Sequence, residues 1–306
     1  MTRTVLVTGA SSQLGVFLLP RLQAAGCRVI ALSRRAPKTA FQVTEAVSWF
    51  HPDSSIDELD EPGYLVSCGP LELACELTGS LPSLRRVAAF SSSSVLSKQS
   101  SSIPAEKELM AEMRDQEEKL QQQCRKRDLS LLLLRPTMIY GCGKDRNVSL
   151  LAALAERTGV IPVAGRAAGL RQPVHADDLA ELAVTALVSE NPVNLVSEVG
   201  GGSTLTYRDM ASRIARAVSK KSRLISLPPG LMILAVSALS RLGPWRGLNG
   251  EMVRRQSTDL VFDDSALRTA LRYDPRPFEP TSADFNVPAY ARDLQLPADP
   301  GDTVTA

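Results

Sequence analysis

The chain has 306 residues, 44% of them hydrophobic and 22% charged, which is enough to build one large or two modest cores. Its formal net charge is only +2, so the overall charge gives no reason to expect that the protein binds nucleic acid. Two histidines and five cysteines without metal or redox spacing argue against a metal site, and the missing secretory signal favours a cytoplasmic protein.

The first predicted element is a strand at Thr4–Val7, which is followed by a turn of small residues and a helix that opens near Gly15. A strand, a tight turn and a helix in this order predict a dinucleotide-binding loop, whose backbone N–H groups bind a pyrophosphate. Gly9 permits the tight turn and Gly15 lets the helix lie close to the strand. The loop residues assigned to the cofactor are Thr8, Gly9, Ser11, Ser12, Gln13, Leu14 and Gly15.

Ser12 stands where such loops usually have their middle glycine. Its hydroxymethyl group would either crowd the phosphate or hydrogen-bond to it. An ordinary strand–helix turn without a ligand is the alternative that this loop alone leaves open.

The second predicted strand, at Arg28–Leu32, runs into Ser33, Arg34 and Arg35. An acidic residue at this point would bind the 2′-hydroxyl of NAD, whereas arginine suits a 2′-phosphate. The two arginines therefore predict NADP(H) in preference to NAD(H). A solvated basic turn is the alternative.

The next two strands are expected at residues 46–50 and 64–68. Asp53, just after the first of them, would either accept a hydrogen bond from an adenine amino group or only cap the following turn. Gly69, just after the second, would let the backbone approach the cofactor closely.

A fifth strand at Arg86–Phe90 runs into four consecutive serines. Hydroxyl groups at the carboxyl end of a parallel strand face the ligand crevice. A flexible serine-rich loop is the alternative.

A long polar helix at residues 106–127 and a sixth strand at 129–134 continue the alternation, which predicts an α/β fold with a doubly wound parallel sheet of the Rossmann type. Three more helices are expected at 148–158, 177–188 and 207–218, the middle one capped by Asp177 or Asp178. The expected division is a dinucleotide-binding domain at 1–145, a smaller α/β substrate-binding region at 146–290 and a loosely ordered tail at 291–306.

The longest apolar stretch, Leu231–Leu239, is too short to span a bilayer. A buried helix is the favoured interpretation. The alternatives are a hydrophobic lip for a lipid-like substrate or a peripheral contact with a membrane surface.

Four segments in order carry a family resemblance: Thr8-Gly9 with Gly15, the serine run before Val95, Leu134–Gly141, and Val174–Ala180. With them the chain resembles the extended short-chain dehydrogenase/reductase superfamily, in its epimerase/dehydratase branch, over about Thr4 to Pro280. The turn Ser12–Gly15 is similar to that of the deoxysugar-nucleotide reductases.

The resemblance implies a catalytic tyrosine, with a lysine four residues later, on the helix after the fifth strand. Residues 106–127 contain no tyrosine. Counting back from Arg135 through an acidic position near Glu118 puts the pair at Met110 and Arg114. Arg114 would keep the positive charge of the lysine. Met110 has no titratable proton and cannot replace the tyrosine. The serine that orients the substrate hydroxyl is best matched by Ser92, and next by Ser93.

The resemblance also implies a nucleoside diphosphate sugar in the region after Gly141, with Arg254 or Arg255 on its diphosphate. Arg171 and Tyr140 are further candidates for substrate contact, and His175 is expected to hold backbone in place. The family often dimerises, so a homodimer is possible. The favoured function is an NADP(H)-dependent epimerase, dehydratase or reductase that acts on a nucleotide sugar. Two other functions stay open: an oxidoreductase acting on a sterol or other lipid alcohol, and a non-catalytic NADP-binding redox sensor.

Overall fold

A computed structural model describes residues 2–34, 46–51, 53–55, 59–99, 101–239 and 249–294. Its strands are β1 Thr4–Thr8, β2 Arg28–Leu32, β3 Val47–Phe50, β4 Tyr64–Ser67, β5 Arg86–Phe90, β6 Ser130–Pro136, β7 Ile139–Tyr140, β8 Val160–Ala164, β9 Leu170–Arg171, β10 Val174–His175, β11 Leu195–Val199, β12 Leu205–Thr206 and β13 Arg223–Leu227. Its helices are α1 Gln13–Ala24, α2 Leu71–Ser80, α3 Ser94–Ser97, α4 Pro104–Lys126, α5 Val148–Thr158, α6 Ala176–Val188, α7 Tyr207–Val218, α8 Pro229–Leu239, α9 Gly250–Arg255 and α10 Ser265–Leu271.

The predicted doubly wound sheet is confirmed. Seven strands lie in the order β11-β6-β5-β4-β1-β2-β3, and every neighbouring pair is parallel. The winding reverses between β1 and β4, where Thr8 lies opposite Ser67. Ligands of open α/β sheets bind outside the carboxyl ends of the strands at such a reversal, so the loops that follow Thr8 and Ser67 border the expected crevice.

Helices cover both faces of the sheet because alternate residues of each strand point to opposite sides. Val5 and Val7 of β1 belong to a core that includes α1 and α6, whereas Leu6 belongs to a core that includes α2 and α4. Burial on both faces explains why β1 reads as a continuous aliphatic run.

The sheet does not end at the predicted domain boundary. Both α6 and β11 follow residue 145, yet β11 forms the outer strand beside β6 and α6 packs on α1. A separate parallel pair, β8 with β13, and the helices α5 and α7 surround a smaller core that includes Ile161 and Ile214. In the segment predicted as a loose tail, Ala291 is fully buried, and residues 295–306 lie outside the described part.

The N-cap of α6 is His175 rather than Asp177 or Asp178. Its Nδ1 accepts a hydrogen bond from the Asp177 N–H at 3.0 Å. Both aspartates lie in the first turn, where carboxylates are favourable, and they pair with arginines: Asp177 with Arg21 at 2.6 Å and Asp178 with Arg276 at 2.7 Å. These contacts join α1, α6 and the C-terminal segment.

The apolar stretch forms a helix, α8, but the expected burial is wrong. Leu231 and Leu234 are 54% and 69% exposed, while Met232 packs with Ala164 and Val253. A run without charged residues does not reveal which side of a helix faces water. None of the helices that the structure describes is both long and apolar enough to cross a membrane.

Candidate functional site

The loop after β1 has the geometry of a phosphate-binding turn. Gly9 has a φ of +61°, and a Cβ there would lie 2.5 Å from the Cys68 carbonyl oxygen. A Cβ on Gly15 would lie 2.2 Å from the Ala10 carbonyl oxygen. Both positions therefore require glycine, the first for its conformation and its contact with the β4 loop, the second for the approach of α1 to the turn.

Ser12 is the N-cap of α1. Its φ of −69° needs no glycine, and its Oγ accepts a hydrogen bond from the Gly15 N–H at 3.2 Å. The first turn of a helix leaves N–H groups without intrahelical partners, and with the Gly15 group taken, those of Gln13 and Leu14 remain for an anion. The buried side-chain nitrogen of Gln13 makes no hydrogen bond within the described residues.

Lys144 reaches this loop from the segment after β7. Its Nζ donates to the Ser11 carbonyl at 2.7 Å, and the side chain is half-buried. Burial lowers the pKa of the ammonium group. Sequence reasoning missed Lys144 because 133 residues separate it from Ser11 and no local pattern links the two.

The floor of the crevice is formed where β1 and β4 end side by side. The buried Thr8 hydroxyl donates to Ser67 Oγ at 3.1 Å. A Cβ on Gly69 would lie 3.3 Å from the Gly9 nitrogen, so a larger residue would be tight against the turn after β1. Thr8 and Gly69 thus lie against the loop at the point where β1 and β4 end.

The end of β2 lies beside the same loop, as expected for a ribose site. Ser33 Oγ is 2.9 Å from Ser11 Oγ, and the next residue, Arg34, is exposed. Arg35 lies outside the described residues. Among the described residues, this strand end therefore presents the Ser33 hydroxyl to the loop.

Asp53 lines a cavity of about 150 Å³ between the end of β2 and helix α2. The other lining residues are Ser54, Glu76 and four leucines, Leu32, Leu59, Leu73 and Leu77. The Asp53 side chain is 89% exposed and its carboxylate lies 3.3 Å from His51 Nδ1. A flat aromatic base would contact the leucines and donate from an amino group at its edge to the Asp53 carboxylate.

The serines after β5 differ in their partners. Ser92 Oγ accepts from the Ser94 N–H at 3.1 Å, and Ser93 precedes α3 with its own N–H bonded to Pro136 O at 3.0 Å. The buried Ser91 hydroxyl makes no hydrogen bond within the described residues. All of them are half-buried at the carboxyl end of β5.

The acidic residue of α4 that pairs with Arg135 is Glu117, one residue before the assumed marker Glu118. Glu117 is 1% exposed, and Arg135 contacts its carboxylate through Nε at 3.1 Å and Nη2 at 2.5 Å. A second carboxylate, Glu198 on β11, accepts from Arg135 at 3.0 Å. Glu118 is exposed.

This shift of one residue moves the expected catalytic pair from Met110 and Arg114 to Leu109 and Met113. Met110 is 3% exposed and packed in the protein interior, whereas Arg114 faces solvent. Leu109 and Met113 are half-buried. Neither pair contains a side chain that can exchange a proton near neutral pH.

The two arginines predicted for a substrate diphosphate are both paired with carboxylates. Arg255 contacts Glu106 at the start of α4 through both terminal nitrogens. Burial would raise the Glu106 pKa, but hydrogen bonds from Arg255 and Ser101 outweigh it and lower the pKa to about 2. The exposed Arg254 lies 2.8 Å from Glu251.

Arg171 is buried and bonded to backbone carbonyls instead of facing a ligand. Its terminal nitrogens donate to the carbonyls of Leu170, Thr258 and Arg255, and its guanidinium lies 5.4 Å from the Tyr207 ring centre. Burial lowers its pKa. The substrate contact expected of Arg171 is therefore replaced by a link between β9 and the end of α9.

Tyr140 is likewise a packing residue. It is 2% exposed, and its ring meets the rings of His175 and Phe278 edge to face at 5.0 and 4.9 Å. Burial raises the pKa of its phenol. A Cβ on Gly141 would lie 2.5 Å from His175 Nε2, so His175 packs on backbone as expected, and the substrate contact assigned to Tyr140 is not available.

No known family profile matches the sequence. Among curated proteins, an uncharacterized protein of Sinorhizobium fredii is 31% identical to the chain over 153 residues. The match covers 48% of this chain and 37% of that protein. The chain thus spans well under half of the length of the curated relative that it matches.

Solved structures of epimerases superpose on nearly the whole chain. UDP-N-acetylglucosamine 4-epimerase from Bacillus cereus is 16% identical with a TM-score of 0.67, covering 92% of this chain and 94% of its own. UDP-glucuronic acid 4-epimerase from Bacillus cereus, in complex with UDP-glucuronic acid and NAD, is 16% identical with a TM-score of 0.67, covering 95% and 99%. The epimerase Mth375 from Methanothermobacter thermautotrophicus is 16% identical with a TM-score of 0.64, covering 92% and 89%. The chain therefore shares the fold of these epimerases, and the fold that its motifs predicted is confirmed.

Proposed function

We propose that the chain binds a nicotinamide adenine dinucleotide and acts as an epimerase, dehydratase or reductase on a nucleotide sugar. The observation that carries this proposal is the loop after β1, where side chains are excluded at Gly9 and Gly15 and the first turn of α1 offers N–H groups to an anion. The substrate class is suggested by the fold, since a similar epimerase was solved with UDP-glucuronic acid and NAD.

The pyrophosphate would lie over the backbone amides of Gln13 and Leu14, with the ammonium group of Lys144 beside it. Lys144 already lies on this loop, 2.7 Å from the Ser11 carbonyl, and a charged donor to phosphate is stronger than a neutral one. The adenine would enter the cavity lined by Asp53. The bound cofactor would accept or supply a hydride.

The adenosine ribose would lie at Ser33 and Arg34. We propose a preference for NADP(H), because arginine suits a 2′-phosphate and the carboxylate that usually takes the 2′-hydroxyl of NAD is replaced by Ser33. The similar structures that name a cofactor contain NAD, so both forms of the cofactor belong in the test.

Ser92 is the proposed contact for the substrate hydroxyl, with Ser93 next. The proton that leaves this hydroxyl would have no tyrosine to accept it, because the positions counted from Glu117 hold Leu109 and Met113. This observation favours a second candidate function, a non-catalytic dinucleotide-binding protein that senses the redox state of its cofactor. Arg254 is the better candidate for a substrate diphosphate, because it is more exposed than Arg255.

The deciding experiment has two stages. Purified protein is titrated with NADH and NADPH by nicotinamide fluorescence, and then incubated with UDP-sugars and each cofactor while absorbance and product are followed. Binding with turnover supports the enzyme. Binding without turnover supports the sensor, and failure of both cofactors to bind would refute both proposals.

A further inference from the structure

Helix α8 is apolar on its outward side as well as on its inward side. Met232, Ile233 and Val236 belong to the small core beside β8. Leu231 and Leu234 lie three residues apart, so they share a face of the helix, and they are 54% and 69% exposed. Helices on the surface of globular proteins normally carry polar residues on that face.

Two further residues extend this face. Ala235 and Ala238 follow at helical spacing and are exposed as well. From Leu224 to Leu239 the sequence contains no charged residue. The helix has 11 residues, about half of what a bilayer crossing requires, so its outward face suits an interface rather than a membrane interior.

The strand before α8 adds one more exposed apolar side chain with cations around it. Ile225 of β13 is 46% exposed and lies two residues from the exposed Arg223, on the same side of the strand. Arg208 of α7 reaches this strand, since its Nη1 donates to Ser226 Oγ at 2.8 Å. Ile225, Leu231, Leu234, Ala235 and Ala238 are called the apolar patch below.

The part of the chain that carries the patch is strongly basic. Residues 205–255 contain ten lysines and arginines and two acidic residues, a net charge of +8 in a chain whose total is +2. Among the exposed side chains of residues 205–227, five are basic and one is acidic; the basic ones are Arg208, Arg216, Lys220, Lys221 and Arg223. The rest of the chain is correspondingly acidic.

We propose that this face of the protein docks peripherally on an anionic lipid surface. The apolar patch would enter the boundary between headgroups and acyl chains, and the basic residues around it would attract the negative surface. A second copy of the chain fits less well, because a symmetric dimer through this face would bring the exposed cations Arg208 and Arg223 of both copies together. An uncharged lipid substrate would not require the basic surroundings.

The test is sedimentation of the purified chain with sucrose-loaded vesicles, either of phosphatidylcholine alone or of phosphatidylcholine with phosphatidylglycerol. We expect binding to the anionic vesicles, little binding to the neutral ones, and release at high salt, because salt screens the attraction. The double substitution Leu231→Glu with Leu234→Glu should weaken binding to the anionic vesicles at least about tenfold.

The matched control is Ala266→Glu with Ala270→Glu on α10. Both alanines are exposed, the change in net charge is the same, and α10 packs on α6 and β11 at the edge of the main sheet instead of on β8. This control should bind like the unmodified chain. Circular dichroism of both variants verifies that the fold is kept.

Three results would overturn the proposal. One is equal sedimentation with neutral and anionic vesicles or with neither. Another is an equal loss of binding in the α10 control. The third is a combination of two observations: the chain does not bind vesicles, and light scattering shows a dimer of the unmodified chain but a monomer of the Leu231→Glu, Leu234→Glu variant. That result would assign the apolar patch to contact with a second copy.

Discussion

Arg135 at the end of β6 holds the buried carboxylate of Glu117 on α4 with two nitrogens, at 3.1 and 2.5 Å. The same guanidinium reaches Glu198 on β11 at 3.0 Å. One arginine therefore links a helix on one face of the sheet to two adjacent strands. Because the expected catalytic pair is counted from the acidic partner of Arg135, this contact decides which positions of α4 that pair would take.

Removal of the buried carboxylate should destabilise the protein markedly. Glu117→Ala leaves the Arg135 guanidinium with one of its two partners, and breaking a buried pair costs about 3 kcal/mol. Glu118→Ala, which alters an exposed side chain on the next position, should change stability by less than about 0.5 kcal/mol. Urea unfolding measures both. Equal effects would mean that Glu117 does not make the buried pair.

Counting from Glu117 assigns the expected catalytic pair to Leu109 and Met113, and this assignment can be tested by introducing a tyrosine and a lysine there. Leu109→Tyr with Met113→Lys should place the phenol at the crevice with the ammonium one turn away, which lowers the phenol pKa. If the chain binds a nucleotide sugar, turnover should rise by about 10²-fold or more.

The control for this variant is Met110→Tyr with Arg114→Lys, the pair that counting from Glu118 gives. Met110 is buried, so a larger side chain there should lower the melting temperature and leave turnover unchanged. Titration of phenolate absorbance provides a readout that needs no substrate. A lowered phenol pKa in the Met110 variant alone would show that the register from Glu118 is the correct one.

The sequence was sufficient for the sheet and for the turn after β1, because local patterns specify both. Buried aliphatic runs mark β1 and β2, and the glycine spacing marks the turn. The Lys144 contact with Ser11 could not be found in this way, since it depends on how distant segments pack. The burial of Tyr140 and Arg171 could not be predicted either. The sequence pattern at the end of a strand is the same whether the side chain faces a crevice or packs in a core.

Loss of the Lys144 charge should weaken dinucleotide binding. Lys144→Gln keeps a polar side chain but removes the charge that we place beside the pyrophosphate, and we expect about a tenfold rise in Kd for both NADH and NADPH. Lys107→Gln removes the same charge from an exposed position on α4 and serves as the control. Fluorescence titration compares the three proteins. Equal affinity in Lys144→Gln and the unmodified chain would exclude Lys144 from the cofactor site.

The proposed preference for NADP(H) depends on Arg34. Arg34→Glu should raise the Kd for NADPH by about tenfold or more and change the Kd for NADH much less, because only NADPH has a phosphate at the ribose. Arg125→Glu makes the same charge change at an exposed position near the end of α4 and should affect neither. If both cofactors lose affinity equally, the arginine does not read the 2′-phosphate.

The pair of Glu106 with Arg255 should make stability fall in acid. The Glu106 pKa is about 2 in the folded protein, below the value of about 4.3 in an unfolded chain. A lowered folded-state pKa gives stability that is complete above the unfolded value and is lost as pH falls from about 4.3 towards 2, by up to about 3 kcal/mol. Urea unfolding at a series of pH values should show this fall of the unfolding free energy in the unmodified chain and a smaller fall in Glu106→Gln. The control is Glu108→Gln, a change at an exposed position of the same helix, which should keep the full pH dependence. Identical slopes in all three proteins would mean that the contact between α4 and α9 does not form in solution.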